Sequence, residues 1–171
     1  MALRYALLGA IAECPRTGYE LLKHFEQSLA YAWPASHSQI YPELARLRDD
    51  GLIEQTGSGA RNSKTYAVTD AGLEEVRRWL RETEPDRRVR SDAALRTFFL
   101  WLLEPDEAIA KLASERAYWR GQLDELERIK AAPRGPGRKE QAFGLALEGG
   151  IRSIETRLEW LDWAAAELAR G

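Results

Sequence analysis

SQIYPELARLRDDGLIE, residues 38–54, is an amphipathic helix that stops on a glycine and runs directly into a strand. Ile40, Leu44 and Leu47 fall at i, i+4 and i+7, so they share one inward stripe. At about 100° per residue Ser38, Pro42, Ala45 and Asp49 lie opposite, with Gln39, Tyr41 and Arg46 on the flanks. Gly51 stands where a helix end calls for a left-handed residue. Pro42 is the discordant residue, because a proline inside a helix loses a hydrogen bond and crowds the preceding turn. Two N-caps compete: Ser36, with Gln39 completing a capping box, and Ser38. Ser38 is preferred because it leaves Pro42 at the edge of the first turn.

Upstream, Leu3, Ala6, Leu7, Ala10 and Ile11 have helical spacing until Pro15 and Gly18 break it. Thr17 and Glu20 then form a capping box, opening a helix over 18–29 with Leu21, Leu22 and Phe25 inward. Downstream, two β-like runs at 52–56 and 65–69 flank GSGARNSK (57–64), a turn-rich loop carrying Arg61 and Lys64. Thr69 caps a further helix over 70–84 with Leu73, Val76 and Leu80 inward. Three helices, a two-stranded ribbon and a fourth helix make the order of a winged helix-turn-helix.

EPDRRVR, residues 84–90, marks a change of character, and a boundary is placed there. The chain is expected to be mainly α with a small β-wing: a winged helix-turn-helix DNA-binding domain over 1–86 and an α-helical dimerisation and possible effector domain over 87–171. Residues 91–103 are expected to form one helix carrying Leu95, Phe98, Phe99 and Leu102. Pro105 opens another that runs to about 131, with Ile109, Leu112, Trp119, Leu123 and Leu126 on its stripe and Arg116 interrupting it. After the loop APRGPGRKE (132–140), Phe143, Leu147, Ile151, Ile154, Leu158, Leu161, Ala165 and Leu168 form an a/d seam. Such a seam is filled by the chain's own helices or by a second copy. The homodimer is favoured, with Leu147, Ile151, Ile154, Leu158 and Leu161 as its contacts.

The 171 residues are 44% hydrophobic and 30% charged, enough apolar material for a core. The longest apolar run, 98–103, is far short of the roughly 20 residues that a membrane span needs. No secretory leader is expected at the N-terminus, and a single cysteine, Cys14, points to a reducing, cytoplasmic setting. Cys14, His24 and His37 show no metal-ligand spacing, and there is no phosphate-binding glycine loop or nucleophile elbow. Catalytic residues, metal and cofactor are therefore expected to be absent, and the chain is not expected to be an enzyme. A net charge of −2 does not announce nucleic acid either, so that reading rests on local placement.

A helix with a small, polar outer face, after a turn and before a basic hairpin, suits the DNA major groove, where residues near its N-terminus read base edges. Ser38, Gln39 and Tyr41 hold that end, while Arg46, Arg61 and Lys64 are the natural phosphate contacts. GYELLKHFEQ (18–27), SQIYPELARLRDDGLIE (38–54) and KTYAVTDAGLEEVRRWL (64–80) together resemble the PadR family of bacterial transcriptional regulators. The resemblance implies a homodimeric repressor that loosens its hold on a pseudo-palindromic double-stranded operator when an effector binds. It also implies that Tyr19, Ser38, Gln39, Tyr41, Arg61 and Lys64 occupy DNA-contacting positions. A small aromatic or hydrophobic effector would find Phe98, Trp101, Arg116 and Trp119 in the second half, although aromatics at helical spacing equally serve packing. Arg116 would meet a carboxylate or phenolate there, or pair with Glu115, Glu155 or Glu159. The competing reading is a winged-helix adaptor that binds protein without sequence-specific DNA contact.

Overall fold

The computed structural model describes residues 2–25, 35–58, 64–87, 91–133 and 135–170. The chain divides into two units, Met1–Arg87 and Arg88–Gly171, each considered on its own.

In the first unit α1 (Ala2–Glu13), α2 (Gly18–His24) and α3 (His37–Asp49) gather around one core, closed by a small sheet and by α4 (Asp70–Glu82). Leu7, Leu8 and Ile11 meet Leu21, Phe25, Ile40, Leu44 and Leu47, all fully buried. The Thr17 cap forms as the sequence suggests. Glu20 N–H donates to Thr17 Oγ1 at 3.2 Å, and Thr17 N–H donates to the Glu20 carboxylate at 2.7 Å.

The start of α3 differs from the expectation. Ser36, and not Ser38, is the N-cap: Gln39 Oε1 accepts from Ser36 N–H at 3.0 Å and from its hydroxyl at 3.1 Å. Pro42 therefore sits within the helix. The position is tolerable because residues 38 and 42 are both exposed, so water can reach the carbonyl that a residue-42 N–H would have bonded. The far end is a Schellman turn, with Gly51 at φ 71°, Leu52 N–H donating to the Leu47 carbonyl at 2.9 Å and Gly51 N–H to that of Arg48 at 2.9 Å.

The wing is a three-stranded antiparallel sheet and not a two-stranded ribbon. β1 (Arg16–Thr17) joins β3 (Lys64–Val68), which pairs with β2 (Ile53–Ser58), in the order β1-β3-β2. A two-residue strand has no alternation to detect. The pairing of β2 with β3 slips at Thr56, a bulge between Gln55 and Gly57. On α4 Gly72 is buried and Leu73, Val76 and Trp79 are half-buried, so Val76 packs against the core as expected, whereas Leu80 is 69% exposed and Trp79 takes its place. A Cβ on Gly72 would lie 2.1 Å from the Leu52 carbonyl oxygen, so the bare glycine brings this face inward. Trp79 then stacks on Tyr5, ring centres 4.6 Å apart.

In the second unit the single helix expected over 91–103 is broken. α5 (Asp92–Thr97) ends where the Thr97 hydroxyl donates to the Ala93 carbonyl, and a 3-10 turn follows at Leu100–Leu102. Phe98, Trp101 and Leu102 are exposed, so no packed face holds this run in a regular helix.

α6 (Pro105–Ala131) and α7 (Arg138–Leu168) form an antiparallel hairpin. Arg116 pairs with Asp162, and fourteen residues further along α6 Lys130 pairs with Glu148, fourteen back along α7. This corrects the assignment of the seam. Leu147, Ile151, Ile154 and Leu158 close on Leu123 and Leu126 of the same chain, and Leu161 is also buried within the unit. They are not a face offered to a second copy, because the short loop delivers a partner helix first.

Candidate functional site

The N-terminal end of α3 has no acidic residue in its first turn, so no carboxylate offsets its partial positive charge. Around it stand aromatic and polar side chains. The Tyr41 ring lies over Gly18, so close that a Cβ there would sit 2.8 Å from two ring carbons. Tyr41 remains 41% exposed, and the His37 ring packs against it with ring centres 4.3 Å apart. Tyr19 is 61% exposed, and Lys23 Nζ lies 5.9 Å from its ring centre. Ser38 is exposed, its hydroxyl 2.9 Å from that of Ser36.

Gln39 is exposed too, but its Oε1 is engaged by Ser36, which leaves only the amide nitrogen to a partner. The two-handed pairing with adenine that its sequence position suggested would cost the cap. Arg46 is mostly exposed and pairs loosely with Glu43 at 3.1 Å. Lys64 is exposed at the start of β3, and Arg61 lies outside the described residues. The acids at the far end of α3 are matched locally: Asp49 by Arg48 at 2.8 Å and Asp50 by Arg4 at 2.6 Å. His37 and Gly18 were not anticipated; His37 follows the cap directly, which would have flagged it.

The second unit contains a cavity of about 660 Å³ walled by α5, α6 and α7. Phe98 and Trp119 line it, but Trp101 and Arg116, the other two effector candidates, do not. Trp101 is 77% exposed, and Arg116 is held by both oxygens of Asp162, at 2.5 and 3.2 Å. Asp162 was not among the partners foreseen, because only the hairpin register brings it opposite. The cation in the cavity is Arg157, its guanidinium carbon 4.4 Å from the centre of the Trp119 ring. Among the described residues no group of three His, Cys, Asp or Glu is arranged to hold a metal, and no helix is long and apolar enough to cross a membrane.

A winged helix-turn-helix with an open, polar recognition-helix end, in one chain with a helical unit that holds a ligand-sized cavity, has the make-up of a transcriptional regulator. Residues 7–78 match the transcriptional regulator PadR-like family, and residues 89–169 match the virulence activator alpha C-terminal family. The probable transcriptional regulator Rv1176c of Mycobacterium tuberculosis is 30% identical over 190 residues, covering 98% of each chain. The negative transcriptional regulator PadR of Bacillus subtilis is 29% identical over 170 residues, 94% of this chain and 93% of that one. Its crystal structure in complex with operator DNA matches with a TM-score of 0.85 at 27% identity, over 98% of this chain and 99% of the other. Its complex with p-coumaric acid matches at 0.83 and 28%, over 99% of each. The chain belongs to the PadR-like family of transcriptional regulators.

Proposed function

We propose that this chain represses transcription as a homodimer, acting in the cytoplasm on a pseudo-palindromic operator and releasing it when a small aromatic effector binds. The observation that carries the reading is the end-to-end likeness, at a TM-score of 0.85, to a negative regulator held on operator DNA. The open N-terminal end of α3 supports it independently. In this reading Ser38, Tyr41 and the amide nitrogen of Gln39 face base edges, while Tyr19, Arg46, Arg61 and Lys64 bind phosphates. Two recognition helices would enter major grooves about 34 Å apart.

With the α7 seam filled from within, the dimer needs another face. Leu95, Phe99, Trp101, Leu102 and Trp163 are each more than half exposed. Together they present apolar area on the order of 700 Å², close to what one partner contributes to a standard interface. The effector acts as a population shift, weakening operator binding only by its preference for the dimer arrangement that spaces the helices wrongly.

The test is a fluorescence-anisotropy titration of the promoter DNA beside the protein's own gene, at several salt concentrations, with and without the effector. Sequence-specific affinity that falls steeply with salt is expected. Absence of salt-dependent binding at physiological protein concentration favours the protein-binding adaptor instead.

A further inference from the structure

We propose that the cap of α3 fixes the hydrogen-bonding direction of two base readers: Gln39 only donates, to guanine, and Ser38 only accepts, from the amino group of cytosine or adenine. The proposal rests on the operator-binding reading above and assigns base preferences to two of its residues.

The argument is a count of protons. Ser36 N–H can only donate, so the Gln39 atom 3.0 Å from it is the amide oxygen, and the orientation of that amide follows. The Ser36 hydroxyl, 3.1 Å from the same oxygen, must donate as well, because an amide oxygen carries no proton. A hydroxyl has one proton to give. None is left for Ser38, whose own hydroxyl, 2.9 Å away, must therefore donate to Ser36. Both protons run inward, from Ser38 to Ser36 and from Ser36 to Gln39. Ser38 and Gln39 are exposed. What they keep for a partner is the NH2 group of Gln39, a donor only, and the lone pairs of Ser38, acceptors only.

In the major groove guanine is the base that presents two acceptors, O6 and N7. Adenine sets an amino group beside its one acceptor, thymine sets a methyl group beside its own, and cytosine offers an amino group alone. A donor-only Gln39 therefore favours guanine and rejects cytosine. An acceptor-only Ser38 needs the amino group of cytosine or adenine, whereas a serine with a free proton suits either kind of base edge.

The test is selection of duplexes with randomised half-sites by the full chain, followed by titration of single-base variants of the selected sequence. Gln39→Glu separates the two duties of the side chain. Its carboxylate still accepts from Ser36, as the acid of a capping box does, but has no proton for a base. Wild type is expected to select guanine at one position, with adenine there at least about fivefold weaker. Gln39→Glu should turn that position to cytosine, whose amino group a carboxylate accepts. Ser36→Ala frees the Ser38 proton while the residue-36 N–H still holds Gln39. The preference for cytosine or adenine at a second position should then fall to less than twofold, with the guanine unchanged. Ser38→Ala should flatten the same second position, and it stands in if thermal melts show that Ser36→Ala does not fold. Any base other than guanine at the Gln39-dependent position, or base preferences that Gln39→Glu leaves intact, overturns the inference while operator binding stands. A wild-type chain that selects no sequence overturns the operator reading itself.

Discussion

Gly18 and Gly72 show why a motif's letters and its physical content differ. The spacing Tyr66, Thr69, Gly72 is plain in the sequence, but its reason is spatial. The Thr69 hydroxyl donates to the Gly51 carbonyl at 2.8 Å, and Gly72 lies against the Leu52 carbonyl, so the motif clamps the turn that ends α3. At Gly72 a methyl group meets backbone 2.1 Å away, which cannot yield. Gly72→Ala is expected to cost about 3 kcal/mol and lower the melting temperature by more than ten degrees in thermal denaturation. At Gly18 the obstacle is the Tyr41 ring, which can swing, and alanine gains helix propensity of about 0.5–1 kcal/mol. Gly18→Ala should therefore melt near wild type yet lose several-fold in specific operator affinity, because Tyr41 is displaced from the α3 face. Equal effects on both properties in both variants would refute this division. Gln39 was legible as an exposed polar residue near the reading end; its commitment to Ser36 was not, because two rival caps fit the same letters.

Helix patterns were legible where burial was one-sided and misread where the partner had to be guessed. The heptads of α7 predicted its buried residues, yet periodicity is blind to whether the facing helix is in the same chain. The structure answers with α6. Ile154→Ala should therefore destabilise the second unit by about 2–5 kcal/mol in chemical denaturation, through lost packing inside one protomer. A stable, folded monomer from this variant would contradict the hairpin core. The run at 98–103 failed for the opposite reason: it is apolar all round and largely exposed, so no stripe sets a register. The start of α2 adds an acid dependence. The N–H and hydroxyl of Thr17 hold the Glu20 carboxyl below its ordinary range. A carboxyl depressed in the folded state contributes stability above its unfolded value, about 4.3, and loses it as pH falls through the lower native value. Glu20→Gln should flatten this part of the stability profile below about pH 4.5 while leaving neutral pH little changed, because the amide oxygen can still accept from Thr17 N–H.

At the scale of the assembled protein, charge and symmetry govern the outcome together. The total charge of −2 gives no hint of DNA, since the useful charge is local and the nearby acids are matched by Arg4 and Arg48. If Lys64 contacts one phosphate per protomer, Lys64→Ala removes two contacts from a dimer and should reduce the slope of log affinity against log salt by about 1.8. A monomeric reader would lose half that, so the slope change counts the copies on DNA. The exposed apolar segment supplies the complementary test. Trp101→Ser with Leu102→Ser removes two of the more exposed apolar side chains and touches no buried one, so the protomer should melt as before. Sedimentation should show a monomer, and operator affinity should fall at least a hundredfold, because two half-sites can no longer be occupied by one rigid particle. A variant that remains dimeric and keeps its operator would place the interface elsewhere on the helical unit.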